Sequence, residues 1–405
     1  MTTTELPQDP FLPRSALVPA ARTVVRSELP LTAVARSTPD PLPTCRPGQP
    51  GVLVVPELTF EAARTVLSRG DLVGVIAESP QFPDHAKKML SEGRKVFVQC
   101  AGARELLPDG SLCQIDNDGL INLDALDVNL SAICSHITPE VQALYERWGV
   151  DTIGYFRFKF SLFQLFAEHP AAHSDTQAIT DHLVDELHGL YGLGYRTIRV
   201  VLSDPSSYEL AELGISVEHH EPNPDLGLRG PRDLDRWEPE LEAVAQFLDD
   251  HPDVALTVSA PFISSVQEFQ AVANSVRSSR VGTRAGLGLT LEVPALAYSL
   301  EQLVAVERPA FVAIGTSDLF ALFNAVDRNH AALSVDPFSD ANTLLVQHIS
   351  KLLTSLGVPF FVCGEVRRDP ARIAALVADG CREFIVGASH GELARVCRAV
   401  ATGRS

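Results

Sequence analysis

The sequence predicts an α/β protein, a (β/α)8 TIM barrel preceded by a small α/β domain, and three observations lead there. From about residue 127 onward, short apolar runs alternate with long helical stretches, which is how parallel strands joined by crossover helices read. Eight such runs fit into about 275 residues, the count and length of a closed barrel, whereas a doubly wound sheet would show fewer strands and a glycine-rich first turn. Polar residues also gather at the carboxyl ends of these runs, the face on which barrel enzymes carry their chemistry.

Residues 1–48 are rich in Pro, Thr and Ser and hold no sustained period of 2 or 3.6 residues, so they read as a disordered leader. Over 49–126 a compact unit follows. GVLVVPEL, DLVGVIAE and KVFVQC are strands, TFEAARTVLSRG and HAKKMLSEGR are helices, and DGSLCQIDNDGLINL closes the unit as a hairpin.

The barrel, 127–405, takes its strands from VNLSAIC (128–134), TIGYFRF (152–158), TIRVVLSD (197–204) and VALTVSAPF (254–262), then GLGLTLEV (286–293), AFVAIGTSD (310–318), PFFVCGE (359–365) and REFIVGAS (382–389). Glu292 stands out among them. The run Leu287 to Leu291 is apolar on both faces, Pro294 ends the ladder for want of an amide hydrogen, and the acid falls at the strand's carboxyl end. A carboxylate there is costly to bury without a metal or a partner. Arg157, Asp204, Thr316, Ser317, Asp318, Cys363, Glu365 and Ser389 occupy equivalent places. Singly, each reads as a loop salt bridge, a helix cap or, for Cys363, a small buried hydrophobe. Their accumulation on one rim is the functional signal.

The charge balance narrows the partners. With 33 Lys and Arg against 51 Asp and Glu, the net charge of -18 argues against nucleic acid and against anionic membranes. Seven cysteines, Cys45, Cys100, Cys113, Cys134, Cys363, Cys381 and Cys397, are scattered without a C-x-x-C pair, which fits a reducing compartment. The first residues lack the basic and apolar regions of a signal peptide, and no run reaches membrane-spanning length, so a cytoplasmic protein is expected.

LEVPALA, then AIGTSDLFALFNAVDR, then FVCGE, in that order and spacing, resembles the PEP-utilising enzymes: phosphoenolpyruvate synthase, pyruvate phosphate dikinase and the first enzyme of the sugar phosphotransferase system. LSDPSSYELAELG, EPNPDLGLRG and GYFRFKFSLFQLFAEHP look closest to phosphoenolpyruvate synthase. The resemblance implies a barrel that binds phosphoenolpyruvate or pyruvate through Mg2+, with a swivelling phosphohistidine-like domain at 49–126. It implies Glu292 and Asp318 as Mg2+ ligands, Arg157, Arg229 and Arg328 as binders of substrate anions, and Gly315, Thr316 and Ser317 as lining. Cys363 becomes the acid that protonates the enolate carbon, and SPQFPDHA places His85 at the phosphohistidine position. Mg2+ and arginines would neutralise the charge spread over a transferring phosphoryl group.

The departures are as specific. The family's arginine on the third strand is Val201 here, the acid after Arg157 is Lys159, the asparagine before Asp318 is Ser317, and the glycines and Thr-Ser before the histidine are absent. Arg199 lies on the same face as Val201 but about 7 Å deeper. These changes point to reduced or altered chemistry, with a 2-oxo acid lyase or aldolase, or a degenerate regulatory binder, as rival readings. No nucleotide-binding glycine motif is visible, so an ATP-grasp domain is expected to be lacking and a separate protein to exchange the phosphoryl group. By resemblance the chain is a homodimer.

Overall fold

A computed structural model describes residues 17–18, 21–25, 30–40, 49–117, 119–134, 136–216 and 221–403. The chain divides into two compact units, one of residues 1–127 with 393–405, the other of residues 128–392. The expected third domain therefore begins one residue later, and its last residues cluster with the first unit.

The first unit is one mixed sheet. Its strands are β1 (Leu17–Val18), β2 (Arg22–Val25), β3 (Leu31–Arg36), β4 (Gly51–Val55), β5 (Leu72–Ala77), β6 (Val96–Gln99), β7 (Leu112–Asp116) and β8 (Gly119–Asn122), in the order β1-β8-β7-β3-β4-β5-β6-β2. β3 to β6 run parallel, and β2, β7 and β8 pair antiparallel.

The expectation of a disordered leader over 1–48 is corrected here. β3 is a central strand between β7 and β4, with Ala33, Val34 and Ala35 fully buried and Arg36 held by Asp71 at 2.8 Å. Six residues with no alternation are what a strand buried on both faces presents. Residues 1–16 and 41–48 lie outside the described residues.

Helix Phe60–Ser68 starts at Thr59, whose hydroxyl accepts from the Ala62 amide at 3.1 Å. Helix Asp84–Glu92 follows Pro83 without a side-chain cap, and His85 is exposed on its first turn. In the closing segment Arg398 pairs with Asp116, and the Gln114 amide donates to the Ala394 carbonyl at 3.3 Å.

The second unit is the barrel. β9 (Asn129–Cys134), β10 (Thr152–Arg157), β11 (Thr197–Val201), β12 (Ala255–Ala260), β13 (Gly286–Leu291), β14 (Val312–Gly315), β15 (Phe360–Cys363) and β16 (Glu383–Val386) are all parallel, and β16 returns to pair with β9. All eight predicted strands are present, and all but β9, which ends at Cys134 as expected, end earlier than predicted. β11 stops at Val201 and β14 at Gly315, because Thr316 already opens the helix Thr316–Phe323. That trimming leaves the polar residues on loops and helix starts at the rim.

Inside, Tyr155, Val201, Phe311, Ala313, Phe361, Cys363 and Ile385 form an apolar layer. Arg199 pairs with Glu383, which also accepts from the Ser131 hydroxyl, and its guanidinium lies 4.9 Å from the Phe311 ring centre. Arg199 is thereby committed to the barrel interior, and Val201 leaves its own place on β11 apolar.

Candidate active site

A cavity of about 480 Å3 opens at the carboxyl ends of the strands. Arg157, Asp204, Arg229, Glu292, Gly315, Thr316, Ser317, Asp318, Arg328 and Cys363 all line it, whereas Glu365 and Ser389, also singled out in the sequence, do not. His85 belongs to the first unit and is not among the lining residues.

One wall is acidic and densely paired. Arg229, buried, donates to Asp204 and lies 3.9 Å from Asp318, with its guanidinium 4.1 Å from the Phe262 ring centre. Arg328 holds the other Asp318 oxygen at 3.0 Å. Lys159 reaches Asp204 at 3.3 Å and Glu209 at 3.1 Å, and Glu209 is itself set by a capping box with Ser206. Asp204 is steadied from behind: the neighbouring Ser203 amide donates to buried Glu240 at 2.8 Å, and the Trp237 indole donates to the Ser203 carbonyl at 2.6 Å.

Glu292 differs from these acids. Its Oε2 accepts from the Phe262 amide at 3.0 Å, a bond made possible by the left-handed backbone of Phe262 at φ 57°. No cationic side chain lies within ion-pair distance of it among the described residues. An ideal Cβ on Gly315 would fall 2.9 Å from its Oε1, so glycine at 315 is what lets the carboxylate lie against β14. Burial, then the negative charges of Asp318 and Asp204, push the Glu292 carboxyl above the ordinary carboxylate range. Burial also raises Asp318, against the pull of Arg328 and Arg229. For Asp204, burial is outweighed by Lys159 and Arg229, which hold it low.

A cation would answer this charge. Glu292 and Asp318 are hard oxygen donors that fit Mg2+, which commonly takes one or two carboxylates and fills its remaining positions with substrate and water oxygens. Among the described residues no cluster of three or more His, Cys, Asp or Glu forms a full protein cage.

Arg157, Arg367 and the Cys363 thiol line the same cavity, and Cys363 is in register with Gly315 on the neighbouring strand. Arg157 faces the Phe160 ring at 4.1 Å. Burial pushes the Cys363 thiol up to about 12, so it is protonated at neutral pH. The Thr316 hydroxyl donates to the Cys363 carbonyl at 2.6 Å, and Gly364 turns away at φ 93°, where a Cβ would strike the Thr316 hydroxyl. Arg367 was not singled out in the sequence, where RRDP reads as charged residues before a helix. Its position two residues past Glu365 on a strand-end motif was the available signal. Glu365 itself pairs with exposed Arg368 at 2.8 Å and does not line the cavity.

The family model described as PEP-utilising enzyme, PEP-binding domain, matches residues 121–402. A phosphoenolpyruvate-protein phosphotransferase of Streptomyces coelicolor is 29% identical over 248 residues, 60% of this chain and 42% of that protein. A probable phosphoenolpyruvate synthase of Methanocaldococcus jannaschii is 25% identical over 320 residues, 73% of this chain and 26% of that protein. The chain thus spans less than half the length of either relative. The solved structure of the citrate synthase SbnG aligns over 70% of this chain and 95% of its own at a TM-score of 0.37 and 15% identity, too remote for a functional argument. Among the described residues no helix is long and apolar enough to cross a membrane.

Proposed function

This chain belongs to the PEP-utilising enzymes through their PEP-binding domain, and from that premise we propose that its barrel binds phosphoenolpyruvate or pyruvate and exchanges the phosphoryl group with His85. The observation that carries the reading is the meeting, in one cavity, of two acids fit for a cation, several arginines and a protonated thiol. Glu292 and Asp318 would hold Mg2+, which when bound neutralises charge on the substrate oxygens. The arginines bind and orient the anionic groups of the substrate. As the oxygen–phosphorus bond breaks, a nitrogen–phosphorus bond forms at the His85 imidazole. The enolate carbon takes the proton of Cys363, giving pyruvate, and the thiolate regains a proton from water. Asp204 pairs with Lys159 and Arg229, and Arg229 also lies 3.9 Å from Asp318. A separate protein would donate or accept the phosphoryl group beyond His85.

Incubation of the full chain with phosphoenolpyruvate labelled in its phosphoryl group, with Mg2+, tests this. An acid-labile label on the wild type that disappears in His85→Ala is expected; no label, or an undiminished label on the variant, overturns phosphoryl exchange. Enolate chemistry without phosphoryl transfer, as in a lyase or aldolase, is the second reading, favoured by the loss of the glycines and Thr-Ser before His85. Exchange of pyruvate methyl protons that survives in His85→Ala would select it.

A further inference from the structure

We infer that Arg367, together with Arg157, forms the subsite for the phosphate group of the substrate. It rests on reading the cavity as a phosphoenolpyruvate site, and it assigns a residue not singled out in the sequence.

Buried donors are almost always satisfied, so a guanidinium with free inner nitrogens in a cavity wall is aimed at something absent. Arg157 Nε is buried without a hydrogen-bond partner, as is Arg367 Nε. Arg157 has no carboxylate partner among the described residues, and Arg367 has one, Glu392, which lies 3.3 Å from its Nη1. Asp204 and Asp318 are each paired with two cations, although Arg229 Nε is likewise without a hydrogen-bond partner. Arg157 and Arg367 thus bring unpartnered guanidinium nitrogens to a cavity in which two of the acids already hold their cations.

The two arginines also act on one another. Arg157 loses some preference for its charged form, first through burial and in part through Arg367, so the guanidiniums stand close enough to repel. Two like charges held together at a rim, with donors free, are stabilised by an anion lying between them.

The phosphate of the substrate would lie between the two arginines, while its carboxylate and enol oxygens would reach Glu292 and Asp318 through Mg2+. The same geometry accounts for Val201. With β11 contributing a valine to the apolar layer beneath the cavity, the second guanidinium comes from the loop after β15.

Calorimetry on the full chain with Mg2+ separates this from a structural role for Arg367. For Arg367→Ala, phosphoenolpyruvate should bind about ten- to a hundredfold more weakly, the loss of one charge-assisted contact. Oxalate, which has the oxo-acid end but no phosphate, should change less than about threefold. Arg367→Lys keeps the charge near Glu392 but loses the fork, and should lose about three- to tenfold for phosphoenolpyruvate. Unchanged phosphoenolpyruvate affinity in both variants, or an equal loss for oxalate, overturns the assignment. Failure of the wild type to bind oxalate at all overturns instead the underlying reading of the site. Should Arg367→Ala not fold, the lysine variant decides alone.

Discussion

Adding one methyl group at Gly315 should disable the acid on which the site is built. An ideal Cβ at 315 would lie 2.6 Å from Glu292 Cγ, about 0.8 Å short of ordinary contact at 3.4 Å. The backbone at 315 has φ -86°, which alanine adopts freely, so any penalty comes from this contact and not from conformation. The ladder gives little relief. Gly315 is in register with Cys363 on β15, and Ile314 with Leu291 on β13, so both strands next to the contact are pinned. The Glu292 side chain must therefore move by most of that distance, whereas a metal ligand tolerates only about 0.2 Å. Gly315→Ala should lower the affinity for Mg2+ and oxalate by roughly ten- to a hundredfold, as when the support of a metal ligand is disturbed. Overpacking of this kind should also cost about 1–3 kcal/mol of stability. Calorimetry with oxalate and Mg2+, with urea unfolding beside it, reads both. In a Glu292→Ala background the second substitution should cost almost nothing, because the clash has gone. Gly189→Ala, on a helix where nothing lies within 4 Å of the added carbon, should be neutral or slightly stabilising. Wild-type oxalate affinity in Gly315→Ala, or full additivity with Glu292→Ala, would refute the reasoning.

Three further outcomes are expected. Burial pushes the Glu240 carboxyl up to about 7. A carboxyl raised on folding contributes most below its unfolded value near 4.5 and loses that contribution as pH rises toward 7, so Glu240→Gln should be more stabilising, relative to wild type, at pH 8 than at pH 5. The difference should be on the order of 3 kcal/mol in urea unfolding, and a pH-independent difference would count against it. Cys363, buried and protonated, should resist iodoacetamide at pH 8 in the folded protein, and Cys363→Ala should abolish pyruvate methyl-proton exchange while oxalate still binds within about threefold. Arg199→Met leaves Glu383 buried without its cation and should destabilise by about 3 kcal/mol or more, yet leave oxalate binding within about twofold, because Arg199 serves the barrel interior.

The barrel was legible because its information is local. Each strand is an apolar run, and the run reports burial on both faces without reference to the rest of the chain. LTAVAR carries the same signal, but it is six residues long between Pro30 and the Ser-Thr-Pro of residues 37–39, and composition over the whole leader hid it. The site divides along the same line. Glu292, Asp318, Cys363 and Arg157 are visible because a polar residue ends an apolar run. The roles of Lys159 and Arg229 depend on Asp204, 45 and 25 residues away, and no local pattern reports such a partner. Arg367 is hidden for the same reason, since among the described residues its ion-pair partner is Glu392, 25 positions away. The amide that Phe262 offers to Glu292 depends on one backbone angle, which no residue type at 262 announces.

Seven of the eight junctions around the barrel are ladders of backbone hydrogen bonds among the described residues, and the junction between β15 and β16 is the exception. A hoop laced everywhere except at one seam opens there first, because parting packed side chains costs less than breaking a ladder. Cys363 belongs to one lip of that seam, and the Arg367–Glu392 ion pair runs from the loop after β15 to the segment after β16. An anion that drew Arg367 inward would unbutton the seam at its upper end. Amide exchange along β15 and β16 would then report how full the cavity is, although neither strand's backbone need touch the occupant.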